Sequence, residues 1–86
     1  MKRICFSQDA WEDYLFWQKT DLKIHNKING LISSIQSDPY KGPGKPEPLK
    51  YDLAGWWSRR IEREHRMVYR VMDEDLQIIA CRYHYD

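Results

Sequence analysis

The chain has 86 residues, of which 42% are hydrophobic and twelve are aromatic, and its formal net charge is +1. These values fit a single folded domain over residues 1–86 and argue against an intrinsically disordered chain. The apolar runs are too short for a transmembrane helix or a secretory signal peptide, and two cysteines cannot form the disulfide framework of a small secreted domain. We therefore expect a protein of the reducing cytoplasm that does not act at a membrane.

The first half of the chain is predicted to form one strand and two helices. Lys2–Phe6 has the alternation of a short strand, and Ser7 can cap a first helix that ends near Lys19. Thr20 or Asp21 can cap a second helix, which has the clearest helical period in the sequence. The apolar stripe of this helix consists of Ile24, Ile28, Leu31, Ile32 and Ile35.

The second half is predicted to form a loop and then a meander of strands. Residues 38–48 contain four prolines and two glycines, so they cannot continue the helix. The apolar period then changes to two and predicts four strands joined by short, hairpin-like connections. These strands are Leu49–Leu53, Trp56–Arg63, Met67–Met72 and Leu76–Tyr83. The predicted fold is of the α+β class, with an N-terminal strand and two helices packed on one face of a mostly antiparallel sheet.

Positive charge is concentrated in residues 41–70, which carry eight basic and four acidic side chains. Several aromatic residues are interleaved with these cations, a combination that suits a polyanion with stackable bases. A solvated strand face with extended arginine side chains is the alternative interpretation.

The predicted meander brings three polar residues to one end of the sheet. Glu47 precedes the second strand, Arg66 opens the fourth and His84 closes the fifth, and strand direction reverses at each hairpin. Lys50 is expected one step inside the same end, and Arg60 is less well placed by this argument. His65 falls in a predicted turn and is assigned no role.

This set of residues suits the cleavage of RNA by its own 2′-hydroxyl group. Glu47 could remove the hydroxyl proton, His84 could protonate the 5′-oxygen, and Arg66 could stabilise the negative charge on the phosphorane. Lys50 and Arg60 could hold the phosphate backbone. No metal-ligand set lies among them, so we expect neither a metal nor a cofactor. Separate, solvated surface charges are the alternative interpretation of these residues.

Five stretches of the chain, taken together and in order, resemble the YoeB toxins of the RelE/ParE superfamily of bacterial type II toxin–antitoxin systems. They are Trp11–Gln18, Gly44–Lys50, Trp57–Ile61, Glu64–Tyr69 and Cys81–Tyr85. The resemblance implies a microbial-ribonuclease or RelE-like fold and a ribosome-dependent endoribonuclease that cleaves messenger RNA in the ribosomal A site. It also implies neutralisation by a YefM-type antitoxin, contact with operator DNA through that antitoxin, and a possible homodimer.

The resemblance also implies roles for individual residues. The family's catalytic residues fall on Glu47, Arg66 and His84, and its supporting residues are carried over in the same way. These supporting, substrate-binding positions are Lys50, Arg60 and Tyr85.

Two other functions stay open at this point. The chain could be a ParE-like toxin that binds DNA gyrase without doing chemistry, or a pure partner module without toxicity. In a ParE-like toxin Glu47 and His84 would have no catalytic role.

Overall fold

The computed structural model describes residues 1–83 of the chain. Its five strands form one sheet in the order β1-β5-β4-β3-β2, in which β1 and β5 are parallel and all other neighbours are antiparallel. The predicted α+β architecture is confirmed. The elements in chain order are β1 (Arg3–Phe6), α1 (Gln8–Thr20), α2 (Leu22–Ser37), β2 (Glu47–Pro48), a 3-10 turn (Tyr51–Leu53), β3 (Trp57–Glu62), β4 (His65–Met72) and β5 (Asp75–Ala80).

Side-chain caps set the beginnings of both helices. The Ser7 hydroxyl accepts a hydrogen bond from the Ala10 N–H at 3.1 Å, as expected for the cap of α1. Of the two predicted caps of α2, Asp21 is the one used, and its carboxylate accepts from the N–H groups of Lys23 and Ile24. The Asp21 N–H also donates to the last turn of α1, so a single residue ends one helix and begins the next.

The core lies between the two helices and one face of the sheet. From α2, the predicted stripe is buried at Ile28, Leu31, Ile32 and Ile35. The sheet supplies the opposite wall with Ile61, Met67, Tyr69, Leu76 and Ile78. Burial of these apolar side chains is the main source of stability in a domain of this size. Neither helix within residues 1–83 is long and apolar enough to cross a bilayer.

The predicted second strand, Leu49–Leu53, is wrong. The strand that pairs with β3 is only Glu47–Pro48, and the chain then enters a 3-10 turn in which Tyr51 has a φ of 57°. That left-handed conformation cannot continue a strand. Pro48 is tolerated because β2 is at the edge of the sheet, where a missing N–H removes no internal ladder bond.

The predicted bounds of the last two strands also need correction. The strand β4 begins at His65 rather than Met67, and β5 ends at Ala80 rather than Tyr83. Helix α1 ends β5 by offering new partners to Cys81: the Cys81 N–H donates to the Asp13 carboxylate at 3.2 Å, and the Trp17 indole donates to the Cys81 carbonyl at 2.9 Å. The alternation of apolar and polar residues along β5 contains no signal for tertiary contacts of this kind.

The loop between α2 and β2 is held by Arg59, which is 0% exposed. Its guanidinium makes five hydrogen bonds, all of them to hydroxyl or carbonyl oxygens rather than to carboxylates. The acceptors are the Tyr69 and Ser34 hydroxyls and the carbonyls of Asp38, Lys41 and Pro43. Burial raises the pKa of the Tyr69 phenol, and its O–H donates to the Pro39 carbonyl at 2.6 Å. A proline-rich segment is thereby fixed just before Glu47.

Candidate functional site

The face of the sheet that points away from the helices carries three of the predicted residues, Glu47, Arg60 and Arg66. Side chains alternate along a strand, so Arg60 and Arg66 point away from the core residues Ile61 and Met67. Residues paired directly across two strands share a face. We call this surface the distal face and define it by Glu47, Ser58, Arg60, Arg66, Val68, Arg70 and Ala80.

The centre of the distal face is a row of small residues. Glu47 pairs with Ser58, Ser58 with Val68 and Val68 with Ala80. Ser58 is 4% exposed and Val68 is 1% exposed, so these residues form a floor from which longer side chains project. Glu47, at the end of the row, is exposed.

The two predicted arginines lie side by side next to this row. Arg60 pairs directly with Arg66, two residues along β3 from Ser58. With strands about 4.8 Å apart and about 3.3 Å per residue, the Cα atoms of Glu47 and Arg66 are about 12 Å apart. Carboxylate and guanidinium can therefore approach one phosphodiester from opposite sides.

Arg66 differs from its neighbour Arg70 in what its side chain contacts. Arg70 donates to the Gln77 side chain at 2.7 Å and lies over the Trp56 ring at 4.3 Å. The Arg66 Nη1 atom is buried and has no hydrogen-bond partner among residues 1–83. The Arg66 guanidinium on the distal face is a group of the kind that binds phosphate oxygens.

Tyr83, the last residue that the structure describes, is bound to the start of β4. The Tyr83 N–H donates to His65 Nδ1 at 2.7 Å, and the Arg66 N–H donates to the Tyr83 carbonyl at 2.7 Å. The predicted residues His84 and Tyr85 lie outside the described residues. His65, to which the sequence assigned no role, is half-buried at the start of β4 and not in a turn.

Lys50 lies in the short segment that follows β2. It precedes the 3-10 turn, beyond the pair of Pro48 and Trp57, while Arg60 and Arg66 lie on the other side of Glu47 along the strand direction. Because β2 stops after two residues, Lys50 lies outside the strand in which it was predicted, and its role in substrate binding stays a prediction. Lys50 is exposed and adds a cation on the far side of Glu47.

One group of side chains has the composition of a metal site. Glu62, Glu64 and His65 each place a ligand atom within 4.8 Å of the others. Glu62 Oε1 accepts from the Glu64 N–H at 2.9 Å and faces His65 Nε2 at 3.8 Å, while His65 Nδ1 accepts from the Tyr83 N–H. Exposed acidic groups such as Glu64 commonly cluster in this way without a metal ion.

Residues 6–85 match the sequence model of a protein family, the YoeB-like toxins of bacterial type II toxin–antitoxin systems. Toxin YoeB of Escherichia coli K12 is 55% identical over 83 residues, which cover 96% of this chain and 99% of that protein. The structure of a YoeB/ParE toxin from Agrobacterium tumefaciens has a TM-score of 0.95 at 50% identity and covers 96% of this chain and 99% of that one.

Two structures from Staphylococcus aureus are also similar to this chain. A YoeB dimer has a TM-score of 0.92 at 48% identity, with 98% of both chains covered. A YoeB–YefM complex has a TM-score of 0.91 at 46% identity, with 99% of both chains covered. From these matches over almost its whole length, the chain belongs to the family of YoeB-like toxins of bacterial type II toxin–antitoxin systems.

Proposed function

We propose that this chain is a ribosome-dependent endoribonuclease that cleaves messenger RNA in the ribosomal A site and so inhibits translation in the cytoplasm. The observation that carries the proposal is the register of the sheet. It gives Glu47, Arg60 and Arg66 a common face, beside a floor of small residues and without a covering helix. A carboxylate next to two guanidiniums is suited to an RNA phosphate and a proton transfer beside it.

The proposed reaction is transesterification by the RNA itself. Glu47 accepts the proton of the 2′-hydroxyl as its oxygen attacks the adjacent phosphorus. Arg66 donates to the non-bridging oxygens, whose charge increases in the phosphorane, and His84 protonates the 5′-oxygen as its bond to phosphorus breaks. The products are a 2′,3′-cyclic phosphate and a free 5′-hydroxyl. The mechanism requires no metal ion or cofactor.

Substrate binding is assigned to three further residues. Arg60 lies next to Arg66 and supplies a second cation to the same stretch of backbone. Lys50 lies on the other side of Glu47 and would hold the RNA beyond the cleaved bond. Tyr85 follows His84 in the chain, and the assignment to substrate binding rests on the family resemblance.

We further propose that a YefM-type antitoxin neutralises this chain, since YoeB and YefM of S. aureus form a complex. The basic residues 41–70 favour an acidic antitoxin segment that masks the distal face. Such binding weakens when salt is raised, whereas an equal affinity at low and high salt would contradict the charge argument. Operator DNA would be contacted through the antitoxin. A homodimer without antitoxin is also expected, because a YoeB dimer is known from S. aureus.

The test compares Glu47→Ala and His84→Ala with the wild type on translating ribosomes, with 5′ ends of the message mapped. Each variant should cleave about 10²–10⁴-fold more slowly. Glu74→Ala, at an exposed turn, is the matched control and should cleave normally. Wild-type cleavage by both catalytic variants would refute the assignment. Gyrase-dependent DNA breaks that survive both substitutions would indicate a ParE-like toxin instead.

A further inference from the structure

The segment that leads to His84 is attached to β4 by a pair of hydrogen bonds outside the regular ladder. Ladder pairing of β4 with β5 ends at Val68 and Ala80. Three residues later, Tyr83 is held through both of its backbone groups, by His65 Nδ1 at its N–H and by the Arg66 N–H at its carbonyl. Its φ of 61° is in the left-handed region, which costs a non-glycine residue about 1 kcal/mol or more. The two bonds therefore hold a conformation that the chain would not adopt alone.

The His65 ring is itself fixed by aromatic packing. It meets the Trp17 ring edge-to-face at a centroid distance of 4.7 Å, and the same indole donates to the Cys81 carbonyl. Because Nδ1 accepts the Tyr83 N–H, the ring proton lies on Nε2, which faces Glu62 Oε1 at 3.8 Å. The orientation of the His65 ring and the position of its proton on Nε2 therefore both suit Nδ1 as the acceptor of the Tyr83 N–H.

His65 does not belong to the distal face. It precedes Arg66, so it points to the side of the sheet where Trp17 and the helices lie. It has no access to a phosphate bound beside Arg66 and can act only through the segment that it holds.

We propose that His65 is a positioning residue that fixes the general acid His84 by accepting the hydrogen bond of the Tyr83 N–H. This inference rests on the proposed ribonuclease function. His84 directly follows Tyr83 in the chain, so we expect that loss of the Tyr83 hydrogen bond slows the proton transfer to the 5′-oxygen, which needs an approach of about 2.6–3.2 Å. A displacement of 1 Å can reduce a rate by about 10²-fold.

Two substitutions separate positioning from simple packing. His65→Asn loses the ring but keeps an oxygen close to the place of Nδ1, whereas His65→Phe keeps a ring against Trp17 and loses the acceptor. Positioning predicts that H65N cleaves within a few fold of the wild type and that H65F cleaves about 10–100-fold more slowly at saturating ribosome concentration, with ribosome affinity unchanged. A packing role predicts the reverse order.

Amide hydrogen exchange at Tyr83, followed by NMR in the free protein, gives a readout that does not depend on activity. Protection of Tyr83 should persist in H65N and fall at least about tenfold in H65F. Retained protection in H65F, or full cleavage by H65F despite lost protection, would overturn the inference.

The double variant His65→Phe/His84→Ala distinguishes this inference from the proposed function. If His65 acts through His84, H65F adds no loss once His84 is gone. A further loss in the double variant overturns the positioning role while the ribonuclease assignment stands. Normal cleavage by H84A alone refutes the general acid itself.

Discussion

Arg59 is the residue on which the loop before Glu47 depends most. A fully buried guanidinium without a carboxylate is stable only if its donors are used, and here five hydrogen bonds to hydroxyl and carbonyl oxygens do so. Its neighbour Arg60 points to the distal face and is exposed. Adjacent arginines therefore have unrelated tasks, one in the architecture of the loop and the other in the proposed binding of RNA.

Replacing Arg59 by Lys should lower the free energy of unfolding by about 3 kcal/mol, because one ammonium group cannot serve five acceptors spread over the loop. Arg60→Lys, the matched control, should stay within about 0.5 kcal/mol of the wild type. Urea unfolding followed by tryptophan fluorescence measures both. Equal stability of the two variants would contradict the role of Arg59.

The two cysteines should differ sharply in reactivity. Burial raises the pKa of the Cys81 thiol to about 12, while Cys5 is exposed. At pH 8 a thiol reagent should label one cysteine per folded chain and two after denaturation, and folded Cys5→Ser should not be labelled. Since the folded pKa lies above the ordinary value of about 8.5, the contribution of Cys81 to stability is complete below that pH and is lost towards pH 12. Rapid labelling of folded C5S would contradict this burial.

Among the elements, those with local signals were predictable and those fixed by distant partners were not. The apolar period of α2 and its Asp21 cap both depend on residues that are close together in the sequence. The length of β2 and the end of β5 depend on Tyr51 entering a left-handed conformation and on α1 offering partners to Cys81. The alternation of Trp57, Arg59 and Ile61 did contain a signal for the buried arginine, because it places Arg59 on the apolar side.

The junction between the loop and β3 gives a prediction at this scale. Gly44 has a φ of 86°, its carbonyl accepts the Arg60 N–H, and a Cβ there would lie 2.9 Å from the Arg60 carbonyl oxygen. Gly44→Ala should therefore cost about 2–4 kcal/mol, from left-handed strain plus the clash. Gly55→Ala has similar strain, with a φ of 95°, but no atom within 4 Å, so it should cost only about 1 kcal/mol. Thermal unfolding measures the difference, and equal losses would show that the contact with Arg60 is unimportant.

At the scale of the whole molecule, the sheet brings together residues that are far apart in the chain. The hairpin argument predicted a common end for Glu47 and Arg66, and their shared face follows from pairings through Ser58 and Val68. Sequence could not supply these pairings, because register depends on how two strands meet. The attack by the 2′-hydroxyl group was inferred from residue types, whereas the ribosome and the antitoxin came from family resemblance. All three are proposals for this chain, and the charge of residues 41–70 is its own property.

In the proposed reaction the substrate's own 2′-hydroxyl is the nucleophile beside Glu47. The most direct measurement programs ribosomes with a message that carries a single 2′-deoxynucleotide immediately 5′ of the cleaved phosphate and compares it with the all-ribose message. We expect the all-ribose message to be cut to a 2′,3′-cyclic phosphate and the message with the deoxy position to stay uncut there. Cleavage of the deoxy message at the same phosphate and rate would contradict it.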